Sequence, residues 1–155
     1  MARRPQELLH LLTRTERLAV RRVQSVLDEF ACSVEAWRVL DLLSDGQGHN
    51  MSALADRACL PAPSLTKLVD QLVDQNLVYR RVDPADRRRI LVHLTPRGGQ
   101  RRQQLAREVR ADWAELDLTL TEDGEQLEAL LERLAAALAG DVTTGFGERA
   151  VGRAR

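Results

Sequence analysis

Residues 54–98 read LADRACLPAPSLTKLVDQLVDQNLVYRRVDPADRRRILVHLTPRG, and the hydrophobic period changes part-way along them. Up to Asn76 the period is helical. Leu65, Leu68, Val69, Leu72 and Val73 recur at three- and four-residue spacing and form one buried face. Pro63 falls in the first turn, where a missing amide donor costs nothing, and Asn76 suits the left-handed conformation that stops a helix. Beyond it, LVYRRV (77–82) and RRILVHL (88–94) alternate or run apolar as strands do, with the turn residues of DPADRR (83–88) at their junction. The stretch predicts a helix followed directly by a two-stranded hairpin with an arginine-rich tip.

Working outward, MSALADRA (51–58) predicts a short helix with Asn50 as its N-cap. Before it, Val34, Trp37, Val39, Leu40 and Leu43 mark another helix, broken by the two glycines of SDGQGHN (44–50). Residues 5–30 form one long amphipathic helix through Leu8, Leu11, Leu12, Leu18, Ala19, Val23, Val26, Leu27 and Phe30. Downstream of the hairpin, Thr95, Pro96 and Gly98 open a long helix striped by Leu105, Val109, Trp113, Leu116 and Leu120. Thr121, Glu122 and Asp123 then cap a last helix, with acid at its positive end and a stripe of Leu127, Leu130, Leu131, Leu134 and Leu138. Residues 140–155 are rich in glycine and polar residues and are expected to form a flexible tail.

The fold class is therefore mainly α with a small β-hairpin wing, the parts and order of a winged helix-turn-helix. A chain of 155 residues suits one domain, here 1–139, and hydrophobic residues at 44% with charged residues at 30% exclude wholesale disorder. The net charge of +0 conceals a strong segregation. Arginines crowd residues 80–110, and Glu108, Asp112, Glu115, Asp117, Glu122, Asp123, Glu125, Glu128 and Glu132 follow as an acidic block. Cys32 and Cys59 are too few for a disulfide framework, and the amino end lacks the apolar run of a signal peptide or membrane span, so a cytoplasmic protein is expected. No nucleophile elbow, phosphate-binding glycine loop or metal-ligand cluster occurs, and His10, His49 and His93 fall on different elements. An enzyme is not expected, nor a cofactor, nor a metal. Tyr79 is the only aromatic near the basic stretch, which disfavours single-stranded nucleic acid.

A helix fits the major groove of duplex DNA, and a flanking basic loop reaches phosphates or the minor groove. Ser64, Thr66 and Lys67 alternate with the buried positions of the fourth helix and are the candidates for groove contact. Arg80, Arg81, Arg87, Arg88 and Arg89 surround the hairpin turn, where Asp83 and Asp86 can pair with neighbouring arginines and hold the loop in shape. One tip arginine is left to enter a narrow minor groove.

SLTKLVDQL (64–72), DPADRR (83–88) and LVHLTPRG (91–98), with VEAWRVL (34–40) upstream, closely resemble the DNA-binding region of the MarR family of bacterial transcription regulators. The resemblance extends over about residues 5–139. Pro61 and Pro63 depart from the family's more usual polar opening of the recognition helix, and Asn76 stands where glycine is common. The resemblance implies a DNA-binding region at 34–95, and homodimerisation through helices at 5–30 and 97–139. It also implies that Ser64, Thr66 and Lys67 face the major groove, and that Arg88, positioned by Asp86, enters the minor groove, with Arg87 able to exchange roles. Two recognition helices about one DNA turn apart imply a pseudopalindromic site.

Regulators of this family commonly release DNA on binding a small phenolic or aromatic-acid ligand near the junction of the two regions. His10, Arg14 and Arg17 share one face of the first helix, and Trp37 lies on the adjoining one, so these four are the candidate ligand residues. The rival signal is oxidation of Cys59 or Cys32, although neither lies on the first helix, where the family's peroxide-responsive branch carries its thiol. Outside the regulators, the alternative is a winged-helix protein-interaction module.

Overall fold

A computed structural model describes residues 5–116 and 122–144 of the chain, without the side chains of 5, 122 and 141–144. The chain divides into two compact units, Met1–Ala111 and Asp112–Arg155.

In chain order the helices of the first unit are α1 (Pro5–Asp28), α2 (Val34–Leu42), α3 (Met51–Ala58), α4 (Ala62–Asp74) and the greater part of α5 (Pro96–Ala114). Leu65, Val69 and Leu72 of α4 are buried, as their spacing requires, together with Val39 and Leu40 of α2 and Leu54 of α3. Local chemistry sets the boundaries. The Ser33 side chain accepts the Ala36 amide to start α2, and Asn50 accepts from Ala53 at 2.8 Å to start α3. Cys59 and Asn76 close α3 and α4 in the left-handed region, both at φ 55°.

The wing is broader than the hairpin expected. β2 (Val78–Val82) and β3 (Ile90–Leu94) pair antiparallel, with Val78 opposite Leu94 and Val82 opposite Ile90. A third strand, β1 (His49–Asn50), lies on the other side of β3, giving the order β1-β3-β2. Two residues are too few to show a period-two pattern, so nothing in residues 44–50 distinguished a strand from a breaker. The segment turns back because Leu43–Asp45 makes one 3-10 turn and Gly46 and Gly48 both adopt φ 73°. A side chain at Gly48 would overlap the His93 ring as well as strain the backbone.

α1 is buried only towards its carboxyl end, at Val23 and Leu27, whereas Leu8, Leu9, Leu11 and Leu18 are exposed. α5 buries Leu105 and Val109. In the second unit, α6 (Glu122–Thr144) carries exposed Leu127, Leu130, Leu131 and Leu138. It runs through Gly140 to Thr144 rather than stopping at the glycine. Leu120, Thr121 and the rest of the expected tail, 145–155, lie outside the described residues. Among the described residues no helix is long and apolar enough to cross a membrane, and no cluster of His, Cys, Asp and Glu is arranged to hold a metal ion.

Candidate nucleic-acid interface

Ser64, Thr66 and Lys67 stand exposed on the first turns of α4, on the side away from the core. Thr66 Oγ1 donates to the Ala62 carbonyl at 3.0 Å, which turns its hydroxyl along its own helix in the free protein. Pro61 and Pro63 frame a start that has no side-chain cap. The first-turn amides are therefore not satisfied by a local carboxylate or hydroxyl, and the positive end of the helix stays open to an anion.

At the wing tip, the sequence DPADRR folds by its aspartates. Asp83 Oδ1 accepts the Ala85 amide at 2.8 Å, and Asp86 Oδ1 accepts the Arg88 amide at 3.0 Å. The backbone closes through Asp83 N–H to the Arg89 carbonyl and Arg89 N–H to the Asp86 carbonyl, each at 2.9 Å. The guanidinium facing Asp86 is that of Arg89, 3.4 Å from Oδ2. Asp86 thus shapes the turn at Arg88 through the backbone, while Arg87 and Arg88 are exposed and form no ion pair among the described residues. Two unneutralised cations at the tip of a protruding loop suit a phosphate-lined groove.

One joint of this surface was not foreseen. Arg80 Nη2 donates to Asp70 Oδ1 at 2.6 Å and so ties β2 to the outer side of α4. The two residues are ten apart on different elements, and only the register of β2, with Arg80 on the same face as Val78, turns the arginine towards the helix. On the opposite face Tyr79 stacks on His93, its cross-strand partner, at 5.3 Å between ring centroids.

Comparison with known proteins agrees with this geometry. A model of the MarR family matches residues 33–90, which spans α2 to the start of β3. The transcriptional regulator FarR of Neisseria gonorrhoeae is 29% identical over 114 residues, 74% of this chain and 76% of that protein. The solved structure of the transcriptional regulator PA4135 superposes with a TM-score of 0.76 at 27% identity, covering 86% of this chain and 98% of that one. Residues 33–90 thus match a MarR-family domain. The chain is a transcriptional regulator with a winged-helix fold. A third relative, the homoprotocatechuate degradative operon repressor of Escherichia coli, is 27% identical over 103 residues, 66% of this chain and 70% of that protein.

Of the ligand candidates, His10, Arg14 and Arg17 line one shallow groove of about 340 Å3 along α1, with Thr13, Leu18 and Arg21. Trp37 does not line that groove. It is half-buried on α2, and its indole Nε1–H is shielded from solvent with no hydrogen-bond partner among the described residues. An indole donor in that state lacks an acceptor it would ordinarily have. The cysteines are free thiols. Burial pushes the Cys32 thiol up, with Arg101 and the Trp37 amide pulling the other way. The net direction favours the thiol over the nucleophilic thiolate and weakens the case for Cys32 as an oxidation sensor.

Proposed function

We propose that this regulator is a cytoplasmic homodimeric repressor that binds a pseudopalindromic duplex and is released by a small aromatic carboxylate or phenolic ligand. The observation that carries the DNA reading is the conjunction of exposed Ser64, Thr66 and Lys67 on an uncapped helix with a wing whose Arg87 and Arg88 have no carboxylate partner among the described residues. Residues 34–95 contact DNA within a winged-helix domain spanning 1–139. The exposed leucines of α1 and α6 are apolar surface that a single chain leaves in water, and burying them between two copies through 5–30 and 97–139 supplies the dimer.

The ligand reading rests on three features. Four cationic or titratable side chains, His10, Arg14, Arg17 and Arg21, line the α1 groove, the Trp37 indole donor has no partner among the described residues, and the Escherichia coli relative is named for a degradative operon of an aromatic acid. A guanidinium gives a carboxylate a two-pronged partner, and an indole gives a flat ring both area and a donor.

Selection of binding sites from a random duplex pool, followed by gel shifts at rising salt, tests the first half. The expected result is an inverted repeat whose half-sites lie about one helical turn apart, bound with steep salt dependence. Absence of any salt-sensitive duplex complex would refute it and favour a protein-interaction module. Titrating benzoate and salicylate against the selected operator tests the second half. Release of DNA together with a change in tryptophan fluorescence is expected, weakened in Arg14→Ala, and a ligand that releases DNA equally well from Arg14→Ala refutes the residue assignment.

A further inference from the structure

The wing carries an apolar rung that the core does not use. β2 and β3 place Val78 opposite Leu94, Arg80 opposite Val92 and Val82 opposite Ile90. These three rungs share one face of the sheet, because residues two apart along a strand point the same way. Val78 and Val92 are buried and Arg80 reaches Asp70, so this is the face on the side of α4. The third rung lies beyond that cover. Val82 and Ile90 are 52% and 50% exposed, although both are branched aliphatics. A single exposed aliphatic side chain is ordinary, but these two stand directly opposite each other and form one continuous patch.

Cations flank the rung on both sides. Arg87 and Arg88 lie in the turn that joins the two strands, and Lys67 lies one turn before Asp70 on α4. All three are exposed and form no ion pair among the described residues. The nearby carboxylates are already engaged, Asp70 by Arg80, Asp83 by the Ala85 amide, and Asp86 by the Arg88 amide and Arg89. A patch of aliphatic carbon between unneutralised cations matches a partner in which anionic groups alternate with apolar ones. A DNA strand has that alternation, since deoxyribose carbon separates successive phosphates. An acidic protein surface would match the cations and leave the aliphatic pair facing carboxylates.

We infer that Val82 and Ile90 form a pad on which the deoxyribose of one DNA strand packs, the strand that passes between α4 in the major groove and the tip arginines in the minor groove. This rests on the DNA reading given above and adds to it a contact of another kind. Phosphate contacts by Lys67 and the arginines displace counterions and weaken with salt, whereas an aliphatic contact with sugar carbon is short-ranged and displaces none. The pad sets how closely the wing sits on the strand, and so how deep Arg87 and Arg88 reach.

The test uses the full-length protein and a duplex selected from a random pool. Combining Val82→Thr with Ile90→Thr keeps both positions branched at Cβ, and with that the strand preference, while removing apolar surface. Affinity is expected to fall about tenfold or more, the scale of half-burying two aliphatic side chains, with the slope of log K against log salt unchanged. Arg88→Ala is expected instead to lower that slope by about one unit. In the wild-type complex, nuclear Overhauser contacts are expected between the methyls of Val82 and Ile90 and deoxyribose protons, a signal that a purely structural role in the hairpin would not produce. Amide spectra of the free double variant check that residues 78–82 and 90–94 keep their ladder, and if they do not, the wild-type methyl contacts decide. The inference is overturned if the folded double variant binds like wild type, if its slope falls as that of Arg88→Ala does, or if the methyls show no contact with DNA. Each of those outcomes leaves the DNA reading standing on wild-type binding, whereas the absence of any salt-sensitive duplex complex removes both.

Discussion

Gly98 and Gly99 are adjacent on α5, and alanine at the two positions is expected to change stability in opposite directions. A Cβ at Gly98 would overlap the Leu77 carbonyl oxygen, stand 2.9 Å from the Leu77 carbonyl carbon and lie 3.2 Å from Leu94 Cδ2. Backbone cannot swing aside as a flexible side chain does, so the first turn of α5 has to lift. That turn is fastened to the chain after α4 through Thr95. The Thr95 amide donates to the Leu77 carbonyl at 3.0 Å, its Oγ1 donates to the Asn76 carbonyl at 2.7 Å, and the Gly98 amide donates to the same Oγ1 at 2.9 Å. Overpacking costs about 1–3 kcal/mol and each strained hydrogen bond about 1 kcal/mol, against a gain of about 0.5–1 kcal/mol for replacing a helical glycine. The net loss is roughly 2–4 kcal/mol, a fall in melting midpoint of roughly 5–15 °C for a chain of this size. At Gly99 an added Cβ meets nothing within 4 Å, so only the propensity gain remains, a rise of roughly 1–4 °C. Thermal melts followed by circular dichroism at one fixed protein concentration measure both. If Gly98→Ala melts with wild type, or Gly99→Ala falls as far as Gly98→Ala, the close approach of α5 to Leu77 is not what fixes the helix.

Arg88→Ala and Arg87→Ala are each expected to weaken operator binding by about 1–3 kcal/mol in gel shifts with helix content unchanged, and unaltered affinity in both variants removes the wing from the interface. The Gln47 amide, first, and then His49, hold the Asp45 carboxyl below the usual carboxylate range, with burial opposing. A depressed folded value makes the contribution of Asp45 fully present above its unfolded pKa, about 3.9, and lost as pH falls through the lower folded value. Urea midpoints are therefore expected to separate wild type from Asp45→Asn at pH 5 and to converge towards pH 3, and a constant gap contradicts the assignment. Ending the chain after Gln126 removes the exposed leucines of α6 and is expected to abolish both the dimer and DNA binding, whereas ending it after Thr144 preserves both; sedimentation velocity distinguishes them, and full-length protein sedimenting as a monomer at micromolar concentration refutes the dimer.

What the sequence disclosed and what it did not follow from how far apart the determining residues lie. The buried face of α4, the caps at Ser33 and Asn50 and the left-handed stop at Asn76 are local properties, written within one or two turns of the chain, and each could be read there. The arginine-rich tip was equally legible, because DPADRR is a turn by composition. The sequence did not separate the roles of Arg87, Arg88 and Arg89, since that depends on which guanidinium the Asp86 carboxylate meets after the turn closes. β1 was invisible for its shortness. The Asp70–Arg80 tie and the Thr95 joint link residues ten or more apart, and register rather than periodicity brings them together. Trp37 falls away from the α1 groove for a similar reason: adjacency of two helices in sequence does not fix which faces they share.

Magnitudes also bear on how a ligand signal could reach DNA. A ligand changes operator affinity only by binding one arrangement of the reading helices more tightly than another, so it has to act through contacts stiff enough to move α4. The Glu16–Arg38 pair between α1 and α2 is 3.9 Å apart and open to solvent, and pairs of that kind contribute little. Gln24 is a firmer link, since its amide donates to the Cys32 carbonyl at 3.1 Å and accepts from the Val34 amide at 3.0 Å, joining α1 to the start of α2. Neither reaches α4 directly. The head of α5 comes nearer, because Thr95 binds the backbone carbonyls of both Asn76 and Leu77, just beyond α4, and Gly98 allows the helix to lie against Leu77 with no side chain between. Arg102 carries the same helix to Asp41 of α2. A displacement of α5 is therefore passed to the segment that closes α4 through these contacts, whereas a displacement of α1 has first to move α2. Of the two long helices, α5 is the one whose contacts reach the segment that closes α4.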